Sequence, residues 1–201
     1  MRHSNMSVNG TSTGMTKKES HTRIFKTPWG WMGLAASEQG LCAIVLPKQS
    51  RSEVDAALPS GVSSMAASTA KASAKQARSR AAAAVAQRAE RQLLEYLVGR
   101  RRTLDVPVDL RGGSAFQRRV WRTIANIPYG RARSYKWVAA RVSSEQYARA
   151  VGHALGANPI PIVIPCHRVV AHDASLGGFS GGLTIKRRLL ELEGTLEQLK
   201  P

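Results

Sequence analysis

Apolar and polar positions follow two different rhythms along this chain, and the change falls near residue 110. From Thr22 to Leu46 the apolar residues come in short runs: Ile24-Phe25, then Trp31 to Ala35, then Leu41 to Leu46. Thr27-Pro28-Trp29-Gly30 and Ser37-Glu38-Gln39-Gly40 separate them. Short β-prone runs divided by turn residues predict an antiparallel meander. Residues 47 to about 80 are rich in Ala, Ser and Lys, which predicts a long connection, partly helical because Ala costs little in a helix. Val85, Ala89, Leu93, Leu94 and Leu97 share one helical face and predict a helix over about 81–98, followed by a strand over 103–108. Residues 1–20 carry no apolar pattern and predict a disordered extension, with Met6 and Met15 as alternative starts.

After residue 110 the period is helical. Ser114 and Gln117 have capping-box spacing, and Phe116, Val120, Ile124 and Ile127 form the stripe that follows. Pro128-Tyr129-Gly130 stops that helix, Ser134 caps a second over about 135–141, and Ser143-Ser144-Glu145-Gln146 offers a capping box for a third ending near Gly156. Two short helices joined by a tight turn read as a helix-turn-helix, or as a plain helical hairpin inside a core. On the third helix Val151, Ala154 and Leu155 should face inward, leaving Arg149, Ala150, Gly152 and Gly156 outward. Long polar side chains suit a major groove; a face shaved to Ala and Gly suits a minor groove only about 6 Å wide. Small residues also serve tight helix packing, so the face alone does not decide.

The next apolar run, Ile162 to Ile164, predicts a strand that ends at Pro165 and sets Cys166 at the mouth of the core. A thiol needs help to become a thiolate, and His167 and Arg168 are the candidates beside it. Taken alone, such a cysteine is simply a small core hydrophobe.

Charge and cysteine content narrow the class. The formal net charge is +17, and between Arg111 and Gly182 ten Lys and Arg stand against two acids, Glu145 and Asp173. A basic surface of that size calls for a polyanion, nucleic acid first. Cys42 and Cys166 give neither a disulfide framework nor zinc spacing, which predicts a reducing, cytoplasmic setting. No apolar run is long enough to span a membrane, and the first twenty residues lack a secretory apolar region.

Pro165-Cys166-His167-Arg168-Val169-Val170 resembles the active-site motif of the alkylguanine-DNA alkyltransferases, the methylated-DNA–protein-cysteine methyltransferases. The likeness continues through Phe116-Gln117-x-x-Val120-Trp121, Ile127-Pro128-Tyr129-Gly130, Ser134-Tyr135, Arg149-Ala150-Val151-Gly152, Asn158-Pro159 and Gly181-Gly182-Leu183. It is strong over 114–194 and looser over 22–46.

The resemblance implies an α/β protein: an N-terminal ribonuclease H-like sheet domain over 21–110, then a mostly helical, winged-helix-like domain with the helix-turn-helix over 111–197. It implies stoichiometric transfer of a methyl or small alkyl group from O6-alkylguanine in duplex DNA to Cys166, with O4-alkylthymine open as a second substrate. It implies His167 as base acting through a water, Glu193 orienting it, Tyr135 pressing a phosphate or protonating the leaving base, and Asn158 bracing the turn before the cysteine. Arg149, with Ala148, Ala150, Gly152 and Tyr135, would bind the minor groove, Arg149 replacing the flipped guanine. Val169, Phe179, Ser180 and Pro161 would form the guanine pocket.

No cofactor is implied, since damaged DNA is the alkyl donor, and the resemblance implies a monomer. Ser37 and Cys42 stand where some members hold zinc, which predicts no metal; Phe179 stands where many carry Tyr. Three rivals remain: a non-catalytic reader of alkylated bases, which the presence of Cys166 opposes; a helix-turn-helix regulator, which would need longer base-reading side chains; and a cysteine hydrolase, whose histidine would normally arrive from elsewhere in the fold.

Overall fold

The computed structural model describes residues 20–59 and 70–199. The expected disordered extension, up to residue 19, and the middle of the Ala/Ser-rich connection lie outside them. Three strands, β1 (His21–Thr27), β2 (Gly30–Ser37) and β3 (Gly40–Lys48), form the predicted meander, with Phe25 opposite Met32 and Leu34 opposite Ile44. At the first turn the Thr27 hydroxyl donates to Gly30 O (2.8 Å) and accepts from Trp29 N–H (3.0 Å). At the second, Gly40 has φ 151, and a Cβ there would lie 2.6 Å from the backbone of Pro107. Only glycine fits a turn pressed that closely under another chain segment.

The connection is partly helical, as expected. Helix α1 (Arg51–Ala57) starts at Ser50, whose side chain accepts from Glu53 N–H, and it sets Val54 against Val45. Helix α2 (Ala70–Leu97) starts well before the predicted residue 81. Its buried stripe is Ala82, Ala86, Ala89, Leu93, Tyr96 and Leu97, with Val85 and Leu94 at the edges. Three alanines in that stripe let the helix axis lie close to the sheet.

The predicted strand over 103–108 is instead an irregular extended segment with one bridge, Val108 to Leu41. Two causes are visible. Pro107 has no N–H to give, and the Gln92 amide occupies both backbone groups of Asp105, accepting from its N–H (2.7 Å) and donating to its O (3.2 Å).

Helix α3 (Ala115–Ala125) has the full capping box between Ser114 and Gln117, and buries Val120, Trp121 and Ile124. Helix α4 (Tyr135–Val142) is capped by Ser134, which accepts from Trp137 N–H. Helix α5 (Ala148–Gly156) buries Val151, Ala154 and Leu155 as predicted. Its expected capping box is absent: Ser143 ends α4, and Ser144 makes no side-chain cap bond. A single 3-10 turn, Glu145–Tyr147, feeds straight into α5 and does that work with backbone groups. The three helices pack on one another, and Trp121 Nε1 donates to Ala154 O (2.8 Å).

Where a strand is expected over Ile162–Ile164, the chain instead makes a tight turn. Ile164 N–H donates to Ile160 O (2.9 Å), and Ile162 has φ 75. Pro159, Pro161 and Pro165 remove three ladder donors, and the Asn158 side chain takes Ile160 N–H and Ile164 O. The apolar run predicts burial correctly, since Ile160, Ile162 and Ile164 are all buried, but not conformation. Cys166–Arg168 then forms a 3-10 turn, and β5 (Val169–Val170) pairs in parallel with β4 (Arg133–Ser134). Helix α6 (Leu183–Leu192) closes the core with Leu189 and Leu190. One apolar cluster runs from Phe25 and Leu34 through Trp121 and Ile160 to Leu189. Among the described residues no helix is long and apolar enough to cross a membrane.

Candidate active site

Cys166 opens the 3-10 turn that follows Pro165, and is 4% exposed at the bottom of a cavity of about 620 Å3. Asn158, at the start of the proline-rich turn, donates from Nδ2 both to Ile164 O (2.8 Å) and to Cys166 Sγ (3.1 Å). Its Oδ1 accepts from Ile160 N–H (3.1 Å), so one amide fixes the turn and the sulfur together. Burial pushes the Cys166 thiol up; against it act the Asn158 amide, the Lys186 ammonium and the backbone N–H groups of Cys166 and His167. Desolvation prevails at rest, so the sulfur rests as a thiol among groups arranged to favour its thiolate.

Behind the cysteine lies a closed polar cluster. His167 is fully buried, with Nε2 2.9 Å from Glu193 Oε1. Glu193 also accepts from Arg168 Nε (2.9 Å), Arg168 Nη2 (2.8 Å), Gly130 N–H (3.2 Å) and the Tyr96 hydroxyl. Burial alone would raise the Glu193 carboxyl, but His167 and Arg168 bring it down to about 2. Burial holds the His167 imidazole below its ordinary value despite the carboxylate. A neutral ring whose Nε2–H donates to Glu193 leaves Nδ1 as an acceptor, and Nδ1 is buried with no protein partner. That atom is left as the ring's unpartnered acceptor. Glu193 caps the C-terminal end of α6, where the helix dipole disfavours an anion, and Arg168 offsets this.

Sequence reasoning gave Arg168 to the thiol; the structure gives it to Glu193 and to Ile127 O (2.6 Å). It missed Tyr96, which lies on the buried face of α2. It also missed Lys186, fully buried on α6, which donates to the carbonyls of Val169 (2.7 Å), Leu176 and Gly178 (3.2 Å). Burial lowers its ammonium to about 8. A lysine among Leu189 and Leu190 at helical spacing was the available signal.

In front of the cysteine the cavity is lined by Tyr135, Ala148, Arg149, Gly152, His153, Leu155, Gly156, Gly178, Phe179 and Ser180. The Tyr135 hydroxyl donates to Gly178 O (3.2 Å), and burial raises its phenol. Of the predicted pocket residues, Phe179 and Ser180 line the cavity; Val169 and Pro161 are buried and do not. Ala150 lies on α5, half-buried and outside the lining. Ser37 and Cys42 hydrogen-bond to Asp109 (2.8 Å) and Ala35 O (3.2 Å), and among the described residues no group of three or more His, Cys, Asp or Glu could hold a metal.

The fold recurs in known proteins. The Mycobacterium tuberculosis OGT, solved in complex with DNA, is 33% identical and superposes with a TM-score of 0.67, covering 88% of this chain and 94% of that one. The chain belongs to the methylated-DNA–protein-cysteine methyltransferase family. The family profile described as 6-O-methylguanine DNA methyltransferase, DNA binding domain, matches residues 115–195. Curated members include the Mycolicibacterium paratuberculosis enzyme, 51% identical over 102 residues, and the inducible Bacillus subtilis enzyme, 43% identical over 102 residues. Those alignments span 51% of this chain, and 61% and 56% of the two relatives.

Proposed function

We propose that this protein reverses DNA alkylation directly, moving a methyl or small alkyl group from guanine O6 in duplex DNA to Cys166, once per molecule. The observation that carries the reading is the buried Glu193–His167 pair behind a cysteine that opens into a cavity large enough for a flipped base. His167 Nδ1 takes the thiol proton through a bridging water, and Glu193 holds the imidazolium that results. The thiolate attacks the alkyl carbon, a C–S bond forms, the C–O6 bond breaks, and its electron pair leaves with guanine. The leaving ring takes a proton from the Tyr135 side of the pocket. Nothing cleaves the thioether, so the protein is consumed.

Recognition falls to α5. Ala148, Gly152 and Gly156 give its outward face little relief, which lets a helix enter a narrow groove, and exposed Arg149 at the cavity rim fills the space of the extruded base. The finer architecture belongs to the same reading: a ribonuclease H-like sheet domain over 21–110, and a winged-helix-like domain over 111–197 built on α3 to α5 and the β4–β5 pair.

The deciding experiment is intact-mass analysis after incubation with a duplex carrying one O6-methylguanine, followed by peptide mapping. One added methyl on the Cys166 peptide, saturating at one per protein, is the expected result. Tight binding with no mass change would make the protein a reader of alkylated bases.

A further inference from the structure

Part of the cavity lining is supported from outside the helical half. Phe179 lines the cavity, and Gly181 follows two residues later, just before α6. A Cβ at Gly181 would lie 2.8 Å from Phe179 Cε1 and closer still to Leu46 Cδ1. The volume beside the glycine is therefore already filled, from behind by a leucine of β3 and from the front by the ring. Gly181 is not among the residues with positive φ, so its small size is what the site uses. Leu46 is itself 8% exposed, within the same apolar cluster against which Phe179 packs. Two further contacts hold the sheet in place: Ile44 N–H donates to Pro159 O (2.8 Å), and the Arg188 guanidinium sits 4.2 Å over the Trp29 ring.

We propose that Leu46 is a specificity-determining residue, which by backing Gly181 sets the distance of the Phe179 ring from Cys166 and so the size of alkyl group admitted. The proposal rests on the alkyl-transfer reading above. Interiors packed at crystal density transmit a lost methyl to whatever it supported. The supported element here is a loop with glycines at 177, 178, 181 and 182, which offers little resistance of its own. With Leu46 shortened, the loop recedes into the vacated volume. A bulky group gains room, and a methyl loses the alignment that in-line attack demands.

The test measures transfer rates from duplexes carrying O6-methylguanine or O6-benzylguanine, with DNA affinity and thermal unfolding followed in parallel. Leu46→Ala should raise the benzyl-to-methyl rate ratio roughly tenfold, the scale at which a pocket discriminates by a methylene or two. Gly181→Ala, which crowds the same volume, should slow both reactions. The double variant should recover rate, because the new Cβ occupies the space the leucine vacated. An unchanged ratio in a folded, reactive Leu46→Ala protein overturns the proposal, as does strict additivity of the two changes. Leu46→Val serves if the alanine variant does not fold, with a smaller shift of the same sign expected. Failure of the unaltered protein to take a methyl group, read first, overturns the alkyl-transfer reading itself and this proposal with it.

Discussion

The two sides of Cys166 are built on opposite plans. Behind it, five residues (Tyr96, Gly130, His167, Arg168 and Glu193) are packed into a buried cluster in which the other four all bond to the Glu193 carboxylate. In front of it, the cavity is lined mainly by small residues and two aromatic rings, with Leu155, Ser180 and the exposed Arg149 and His153. A charge inside a low-dielectric cluster cannot move without cost, so the back can fix one tautomer of His167 and one orientation of Glu193. A large polyanion cannot be met by a crowded surface, so the front is left open and small. The chemistry needs rigidity; recognition needs room.

That contrast can be broken at either end. The largest effect belongs to the junction: Cys166→Ser should abolish alkyl transfer while leaving DNA binding intact, measured by mass shift and by equilibrium binding. Transfer surviving in that variant would move the site elsewhere. Next is the back wall. Glu193→Ala leaves the Arg168 guanidinium buried beside an unbraced imidazole, and should cost about 3 kcal/mol or more in denaturant unfolding. A loss near zero would mean the cluster is wetter than its burial indicates.

At the front, Arg149→Ala should leave stability alone and slow repair of a base-paired lesion about tenfold or more, since extruding a base costs a few kcal/mol. Reaction with free O6-benzylguanine should be nearly unaffected, and equal losses on both substrates would remove the arginine from base extrusion. Asn158→Ala takes one donor from the sulfur and should slow transfer about fivefold to tenfold on either substrate.

A separate effect is that of pH. Glu193 is held near 2 in the folded protein against an ordinary 4.5, so its contribution to stability is complete above pH 4.5 and lost as pH falls towards 2. His167, held below 6.5, works in the same direction: the folded state keeps it neutral, and acid favours the unfolded chain. Unfolding midpoints followed between pH 7 and 3 should therefore decline in the native protein. Replacing Glu193 should flatten the part of that decline that its own titration causes.

How far the sequence could be read differs between these two sides in an instructive way. At the front, helical period alone marked Arg149 and Gly152 as outward on α5; Ala148, Phe179 and Ser180 came with the family motif, and all five line the cavity, whereas Ala150, Val169 and Pro161 do not. The back was legible only through the family motif. Nothing in the spacing of Tyr96, Glu193 or Lys186 says that 97 residues of chain separate a phenol from the carboxylate it bonds. The proline-rich run before the cysteine misled in a specific way, since its isoleucines are buried as a strand's would be while three prolines deny it a ladder.

By itself, then, the sequence determined the elements whose causes are local: the meander with its turn glycines, the capping box of α3, the inward face of α5 and the Cys-His pair beside Pro165. Tertiary structure alone decided where charge could be buried. Arg168 belongs to Glu193 rather than to the thiol, Lys186 is held by backbone carbonyls, and a leucine of the first sheet supports the pocket loop. Burial and long-range contact are properties of the packed whole, and no window along the chain contains them.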